Sequence, residues 1–479
     1  MIDAKTFVEE CIEKKKEEFI EVSAAVWEYA EGGYQEYKSA DLLCRTLEKE
    51  GFAVTRNLAD IETAFKGVWG SGHPVVGLLG EFDSLPGLSQ KAGCPVHDPL
   101  VEGGRGHGCG HNMLGTGCLA AAVAIKEYLQ AAGKPGTVIY FGTPAEEIGA
   151  GKTFMAREGA FDGVDFFYTW HPGVTNEVAN CHMVANYSRI YRFKGVTAHA
   201  GGAPHLGRSA LDSVELMNVG VNYLREHVIQ EARIHYAYLD AGGTAPNVVQ
   251  DHAAVKYIIR APYIWQLDEI TRRIDNIAKG AALMSGIEVS YATESAYSNY
   301  IPNEVLAKVM SEAMISIGAP EWTEEDYELA KKFADSVSDN CKSDAVRLIT
   351  CRYGKEKLEE KLNQPLDDMV APYDPDHRLI LTGSTDVGDV GYVAPTVMAS
   401  AATAAFGTPG HSWQITGQGN SPIGHKGMLL AAKTMALASI QVMEDPQILA
   451  DAKAEFMKKN NGVYDCPMEK GVAAPKFIS

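Results

Sequence analysis

Hydrophobic positions along this chain alternate between helical and strand spacing, and the switches mark out its elements. From Ala4 to Glu31 the apolar residues Phe7, Cys11, Phe19, Val22 and Trp27 predict one long amphipathic helix. A second helix is predicted over Ser39–Glu50, stopped by Gly51. Strands follow at Ala53–Thr55, Ala64–Trp69 and Val75–Phe82. The last is apolar on both faces, which suits a central strand of an α/β sheet, and it ends at Glu81 and Asp83. Residues 87–105 read as a long Gly/Pro-rich loop. Helix 111–131 carries Leu114, Cys118, Ala122, Ile125 and Leu129 at spacings of three and four, with Gly133 as its stop. Strand Thr137–Gly142, helix Lys152–Glu158 and strand Asp165–Thr169 continue the α/β pattern.

The pattern then changes. Residues 186–296 read as strand Ser188–Phe193, helix Arg208–His227, strands Arg233–Asp240 and Ala253–Arg260, helix Ile264–Met284 and strand Glu288–Ala292. That βαββαβ order predicts a ferredoxin-like domain inserted into the α/β domain. The α/β pattern resumes with helix Glu304–Ile317, strand Pro395–Ala401 and a long helix over Lys426–Met443. The expected division is therefore 1–185 and 297–479 for one domain and 186–296 for the other. Within it, 319–376 is an acidic helical elaboration, and the tail 444–479 is charged and partly irregular.

Composition narrows the class. The chain has 479 residues, 46% hydrophobic and 22% charged, ordinary for a globular protein with more than one domain. A net charge of −19 argues against nucleic acid and anionic membranes as partners. The nine cysteines are scattered and form no CxxC pair, which predicts reduced thiols and a cytoplasmic protein. Met1–Phe19 is charged and lacks the apolar core of a signal peptide. No uncharged apolar run reaches the roughly 18 residues of a membrane span.

Candidate chemistry centres on Arg105-Gly-His107-Gly-Cys109-Gly-His111-Asn112, two imidazoles and a thiol among glycines at a helix start. Histidine and cysteine are strong transition-metal ligands, and a helix N-terminus lowers a thiol pKa. Three βα units place Asp83, Glu146/Glu147 and His171 just past strand ends, the edge where open α/β sheets bind ligands. This convergence predicts a metal centre. A metal-free cysteine hydrolase using Cys109 with His111 or His107 stays open, but leaves Glu146, Glu147 and His171 without a role. Further candidates are His199 in a small-residue loop, the carboxylates of the glycine-rich stretch Thr382–Asp389, and His411 in a Gly/Pro turn. Cys118 is expected in the core.

Jointly, Gly-Cys109-Gly-His111, Pro144-Ala-Glu146-Glu147, His171-Pro, His199-Ala-Gly and His411-Ser resemble the M20 metallopeptidase family. The nearest likeness is to its amidohydrolase branch of aminoacylases, auxin-conjugate hydrolases and B-type p-aminobenzoyl-glutamate hydrolases. The resemblance spans about residues 16–440 and implies a zinc-peptidase-like α/β fold. It implies two divalent ions, manganese or zinc, held by Cys109, His111, Glu147, His171 and His411, with Glu146 as general base. It further implies that His199 reaches in from a lid to stabilise an oxyanion, and that the lid (186–296) makes a homodimer. Asp83 is expected to orient a ligand from behind, and Asn247, Arg260 and Asp386 to hold substrate. Ser384, Thr385, His205 and Arg208 are weaker substrate candidates. His107 and His425 are alternative ligands, the latter in competition with His411. Asn112 departs from the family's usual acidic residue, and Glu81-Phe82-Asp83 replaces a His-x-Asp. The implied activity is hydrolysis of the amide of N-acyl or N-aroyl amino acids or dipeptide-like compounds, with p-aminobenzoyl-glutamate as leading substrate. An A-type sister subunit is an implied partner, and a non-catalytic metal- or peptide-binding subunit is the rival reading.

Overall fold

The computed structural model describes residues 2–460 and 462–476. The chain opens with helix α1 (Ala4–Tyr29), capped by the Asp3 carboxylate, which accepts from Thr6 N at 2.8 Å, and then α2 (Tyr37–Lys49). Strands β1 (Ala53–Arg56), β2 (Phe65–Ser71) and β3 (Val75–Gly80) lead to helix α3 (His111–Ala132). Then come β4 (Gly136–Gly142), the single turn α4 (Glu146–Gly149), α5 (Gly151–Arg157), β5 (Phe166–Gly173) and the short β6 (Asn176–Glu177) and β7 (Cys181–Met183). A second run follows: β8 (Ala185–Lys194), α6 (Ala210–Leu224), β9 (Arg233–Asp240), β10 (His252–Ala261), α7 (Ile264–Ser285) and β11 (Glu288–Tyr297). Helices α8 (Glu304–Ile317), α9 (Glu324–Asp335), α10 (Asp339–Tyr353) and α11 (Leu358–Asn363) precede short strands β12 (Val370–Ala371) and β13 (Leu379–Leu381). The chain closes with α12 (Val387–Val393), β14 (Thr396–Ala402), α13 (Trp413–Gly419), α14 (Pro422–Glu444) and α15 (Pro446–Asn460).

The main sheet runs β1-β2-β4-β3-β5-β14-β6-β12 and is mixed. Its centre, β4-β3-β5-β14, is parallel throughout. Strand β3 is buried along its whole length, as expected of a strand covered on both faces. Helices α3 and α14 pack side by side over one face and are buried nearly all round, so neither shows the one-sided pattern of a surface helix. The second sheet, β11-β8-β10-β9, is antiparallel in every pairing. Helices α6 and α7 pack on it through Val214, Met217 and Val221 and through Leu267, Ile270 and Ile274. The fold is α/β, a large mixed sheet with covering helices.

Two elements differ from the sequence reading. Strand β5 runs through His171 to Gly173 rather than stopping at Thr169, because β14 pairs with it as far as Gly173. His171 therefore stands on the last stretch of a strand, not beyond it. The tail beyond Glu444 is helical over Pro446–Asn460. No described helix is long and apolar enough to cross a membrane.

Candidate metal centre

Parallel strands deliver the candidate residues to one edge of the sheet. Beyond β3 lie Glu81 and Asp83, both buried. Beyond β4, Ala145 adopts a left-handed backbone (φ 59°) and turns the chain straight into Glu146 and Glu147 at the start of α4. Beside them β5 carries His171. Gly110 starts α3 with φ 76°, and a Cβ there would lie 2.9 Å from Pro172 Cβ, so backbone shape and packing both demand glycine. The loop carrying His411 (φ 52°) is tied to the same place by His411 N, which donates to Gly108 O at 3.0 Å.

The side chains converge. Cys109 Sγ lies 3.3 Å from His171 Nε2, and His411 Nε2 lies 3.3 Å from Glu147 Oε2. Two sets of three donors, Cys109/His111/His171 and Cys109/Glu147/His411, each hold their ligand atoms within 4.8 Å of one another and share the thiol. A third, Glu81/His111/Glu146, adjoins them. The five residues implied as ligands thus lie in one cluster, with buried His111 as its floor and exposed His411 at its mouth. Thiol, imidazole and carboxylate are the donors that zinc and manganese take. His111 Nε2 and Glu147 Oε1 are buried without a hydrogen-bond partner, the condition of lone pairs meant for a cation. The residues present fit a divalent metal centre.

Asp83 stands behind this set. Its Oδ1 lies 2.8 Å from His111 Nδ1, and its Oδ2 accepts from Glu147 N at 3.0 Å. A carboxylate on Nδ1 fixes the ring so that Nε2 faces the cluster. Burial pushes the Asp83 carboxyl up, but the His111 hydrogen bond and charge outweigh it and hold it below its usual value. Burial, with Asp83 and Glu81 nearby, raises Glu147 to about 7 despite His111. Burial and the neighbouring carboxylates Glu81 and Glu147 also raise Glu146 well above the usual carboxylate range. The Cys109 thiol is also pushed up, by burial and then by Glu147, so desolvation overrides the helix-terminus effect expected from sequence.

Other candidates lie elsewhere. His107 is buried, with Nε2 3.0 Å from Val26 O, and burial lowers its pKa to about 4. His425 pairs with Asn420 Oδ1 at 3.1 Å, and neither His107 nor His425 belongs to a donor set. Asn112 donates to Ser23 Oγ and Gly419 O, which ties α3 to its neighbours. Cys118 is in the core. His199 is exposed on the loop after β8, where Nδ1 accepts from Gly201 N and Gly202 N at 3.2 and 2.9 Å. Its neighbour Ala200 donates to Asn247 O at 2.9 Å. Among the described residues, no hydrogen bond or ion pair joins His199 or Asn247 to the metal set. Arg260 Nη1 donates to Thr382 O at 2.8 Å, and the residue faces Asn186 and, one strand further, Tyr297 across the second sheet. Asp386 is fully buried, and both its oxygens are held by Lys152, so it is closed to a substrate in this arrangement. Lys152 itself gives no signal in the sequence, where it reads as an ordinary polar position in a short helix.

An α/β sheet edge that gathers two donor sets around one thiol is a candidate site for divalent metal. The profile of peptidase family M20/M25/M40 matches residues 77–357, and the chain belongs to this family, whose members are amidohydrolases and peptidases. The B-type subunit of p-aminobenzoyl-glutamate hydrolase from Escherichia coli K12 is 42% identical over 97% of this chain and 98% of its own length. Among solved structures, a putative aminohydrolase from methicillin-resistant Staphylococcus aureus superposes with a TM-score of 0.64 at 16% identity, over 92% of this chain and all of that one. A dinuclear metal-binding M20 peptidase from Bacillus subtilis does so at 0.58 and 15%, over 90% of this chain and 99% of that one.

Proposed function

We propose that this chain hydrolyses the amide bond of N-acyl or N-aroyl amino acids or dipeptide-like compounds, with p-aminobenzoyl-glutamate as its leading substrate. The observation that carries the reading is the pair of donor sets sharing Cys109, with Glu146 beside them and outside both. Cys109, His111, His171, Glu147 and His411 would hold two divalent ions, manganese or zinc. Bound there, the ions supply Lewis-acid polarisation of the amide carbonyl and acidify a water for attack near neutral pH.

Glu146 is the general base. It takes the proton of the attacking water and passes it to the leaving nitrogen. Asp83 keeps the proton of His111 on Nδ1, so that Nε2 remains a donor. We read residues 186–296 as a lid that brings His199 over the cleft to stabilise the oxyanion, with Asn247 and Arg260 gripping the substrate. The exposed edge strand β9 and the apolar side chains Val219 and Tyr223 on α6 suit pairing of two lids in a homodimer. The metal-free cysteine reading is disfavoured because it leaves His171, Glu147 and His411, gathered around the same thiol, without a role. The likeness to a protein named as a B-type subunit favours one second reading, activity that needs an A-type sister chain. A cytoplasmic location remains part of the proposal.

The test is amine release from a panel of N-acyl amino acids and dipeptides that includes p-aminobenzoyl-glutamate, after reconstitution with manganese or zinc and beside chelated controls. Metal-dependent release on any member supports the reading. No release with both ions demonstrably bound points to the missing sister chain or a binding role.

A further inference from the structure

Lys152 and Glu81 lie at this site, and the proposed chemistry uses neither. Lys152 lies on α5 with no exposed surface. Its Nζ is 2.7 Å from Glu81 Oε1 and 2.7 Å from Asp386 Oδ1, and its backbone N donates to Asp386 Oδ2 at 2.8 Å. Asp386, at the start of α12, thus grips the lysine at two points and prevents it from following Glu81. The other oxygen of Glu81, Oε2, lies 3.2 Å from His111 Nε2, and Glu81 forms a donor set with His111 and Glu146. A carboxylate in that place could offer a cation both oxygens. The anchored ammonium takes one of them.

We propose that Lys152 is a positioning residue that restricts Glu81 to a single oxygen at the metal centre, so that Glu81 cannot chelate an ion at His111 and close the place needed by water and substrate. The inference rests on the metal reading above. Its physical content is twofold. The ammonium occupies Glu81 Oε1, and it sets a fixed positive charge beside incoming cations. Both effects weaken metal binding, and the first keeps a coordination place open. A lysine acting only as a fixed charge among buried carboxylates would weaken metal binding to the same degree with Glu81 present or absent.

The dependence on Glu81 makes a test. Manganese affinity is measured by competition with a fluorescent chelator on metal-free wild type, K152M, E81Q and the double variant, alongside turnover of p-aminobenzoyl-glutamate. K152M is expected to bind manganese about tenfold more tightly or better, while its kcat falls. In the E81Q background the same substitution is expected to give a clearly smaller gain, since the removed charge still counts but the oxygen it would release is gone. Unchanged or weaker manganese binding by K152M overturns the inference, as does an equal effect with and without Glu81. Should K152M not fold without metal, K152A, which likewise leaves Glu81 Oε1 without a donor, carries the same test. Tighter binding supports the inference, and unchanged or weaker binding overturns it. A wild type that takes up no ion instead overturns the metal reading, and this inference with it.

Discussion

At the residue scale the proposed chemistry gives two neighbouring glutamates different tasks. Glu146 and Glu147 are adjacent in sequence, yet only Glu147 joins the set with Cys109 and His411. Glu146→Gln is therefore expected to keep its metal by elemental analysis and to lose about 10²–10⁴-fold in kcat. Retained turnover would remove Glu146 from the role of base. Asp83→Ala leaves His111 without the partner at Nδ1 that is 2.8 Å away, and metal affinity in a chelator competition is expected to fall about 10–100-fold. Donors of this kind can be read from sequence because their residue types are few and their motifs short. Lys152 cannot, since a lysine in a short helix is ordinarily solvated. Only the meeting of Glu81 with Asp386, 305 positions further along the chain, makes it a buried charge. The same holds for Asp386: a carboxylate in a glycine-rich loop carries no sequence signal that both its oxygens meet Lys152.

At the scale of elements, hydrophobic spacing was enough for the strands and helices of the central layer. Val75–Gly80 and His111–Ala132 are each set by a continuous local pattern with glycine at one end. The end of β5 was not legible, because it depends on hydrogen bonds to β14, whose residues lie far along the chain. The helical tail α15 was missed since it has little apolar face of its own, with Ala452 its one buried residue. Its attachment is partly apolar, through Ile448 and Leu449, and partly polar. Lys453 pairs with Asp165, just before β5, and Asp165 also accepts from Val75 N at 2.7 Å and meets His73 Nδ1 at 2.7 Å. Burial pushes the Asp165 carboxyl up, but hydrogen bonds from Lys453, His73 and Val75 outweigh it and hold it below its usual value. A depressed folded pKa stabilises the fold above the unfolded value near 3.9 and loses that contribution as pH falls through the folded pKa. Asp165→Asn is expected to lower the melting temperature at pH 7 by roughly 2–4 °C. The gap to wild type should close on acidification; a gap that persists at low pH would assign the effect to packing instead.

For the whole molecule, helix α6, which covers the second sheet, leaves apolar side chains exposed. Tyr223 on α6 is 75% exposed and Val219 53%. If two lids pair there, Val219→Glu with Tyr223→Glu should halve the mass measured by light scattering. It should also cut turnover if His199 serves the partner's cleft. A wild type that is already monomeric would remove the pairing. The order of the main sheet has a further consequence during synthesis. His171 sits on β5, whose outer neighbour β14 ends at Ala402, more than two hundred residues later. At ordinary translation speeds β5 waits roughly 10–50 s for that strand. Through this interval the nascent chain on the ribosome presents an unpaired parallel edge next to the residues of the future centre. The helices and sheet made in between can form while β5 waits, but the centre cannot, so a ribosome-bound fragment ending before β14 should engage chaperones and lack the wild-type affinity for metal.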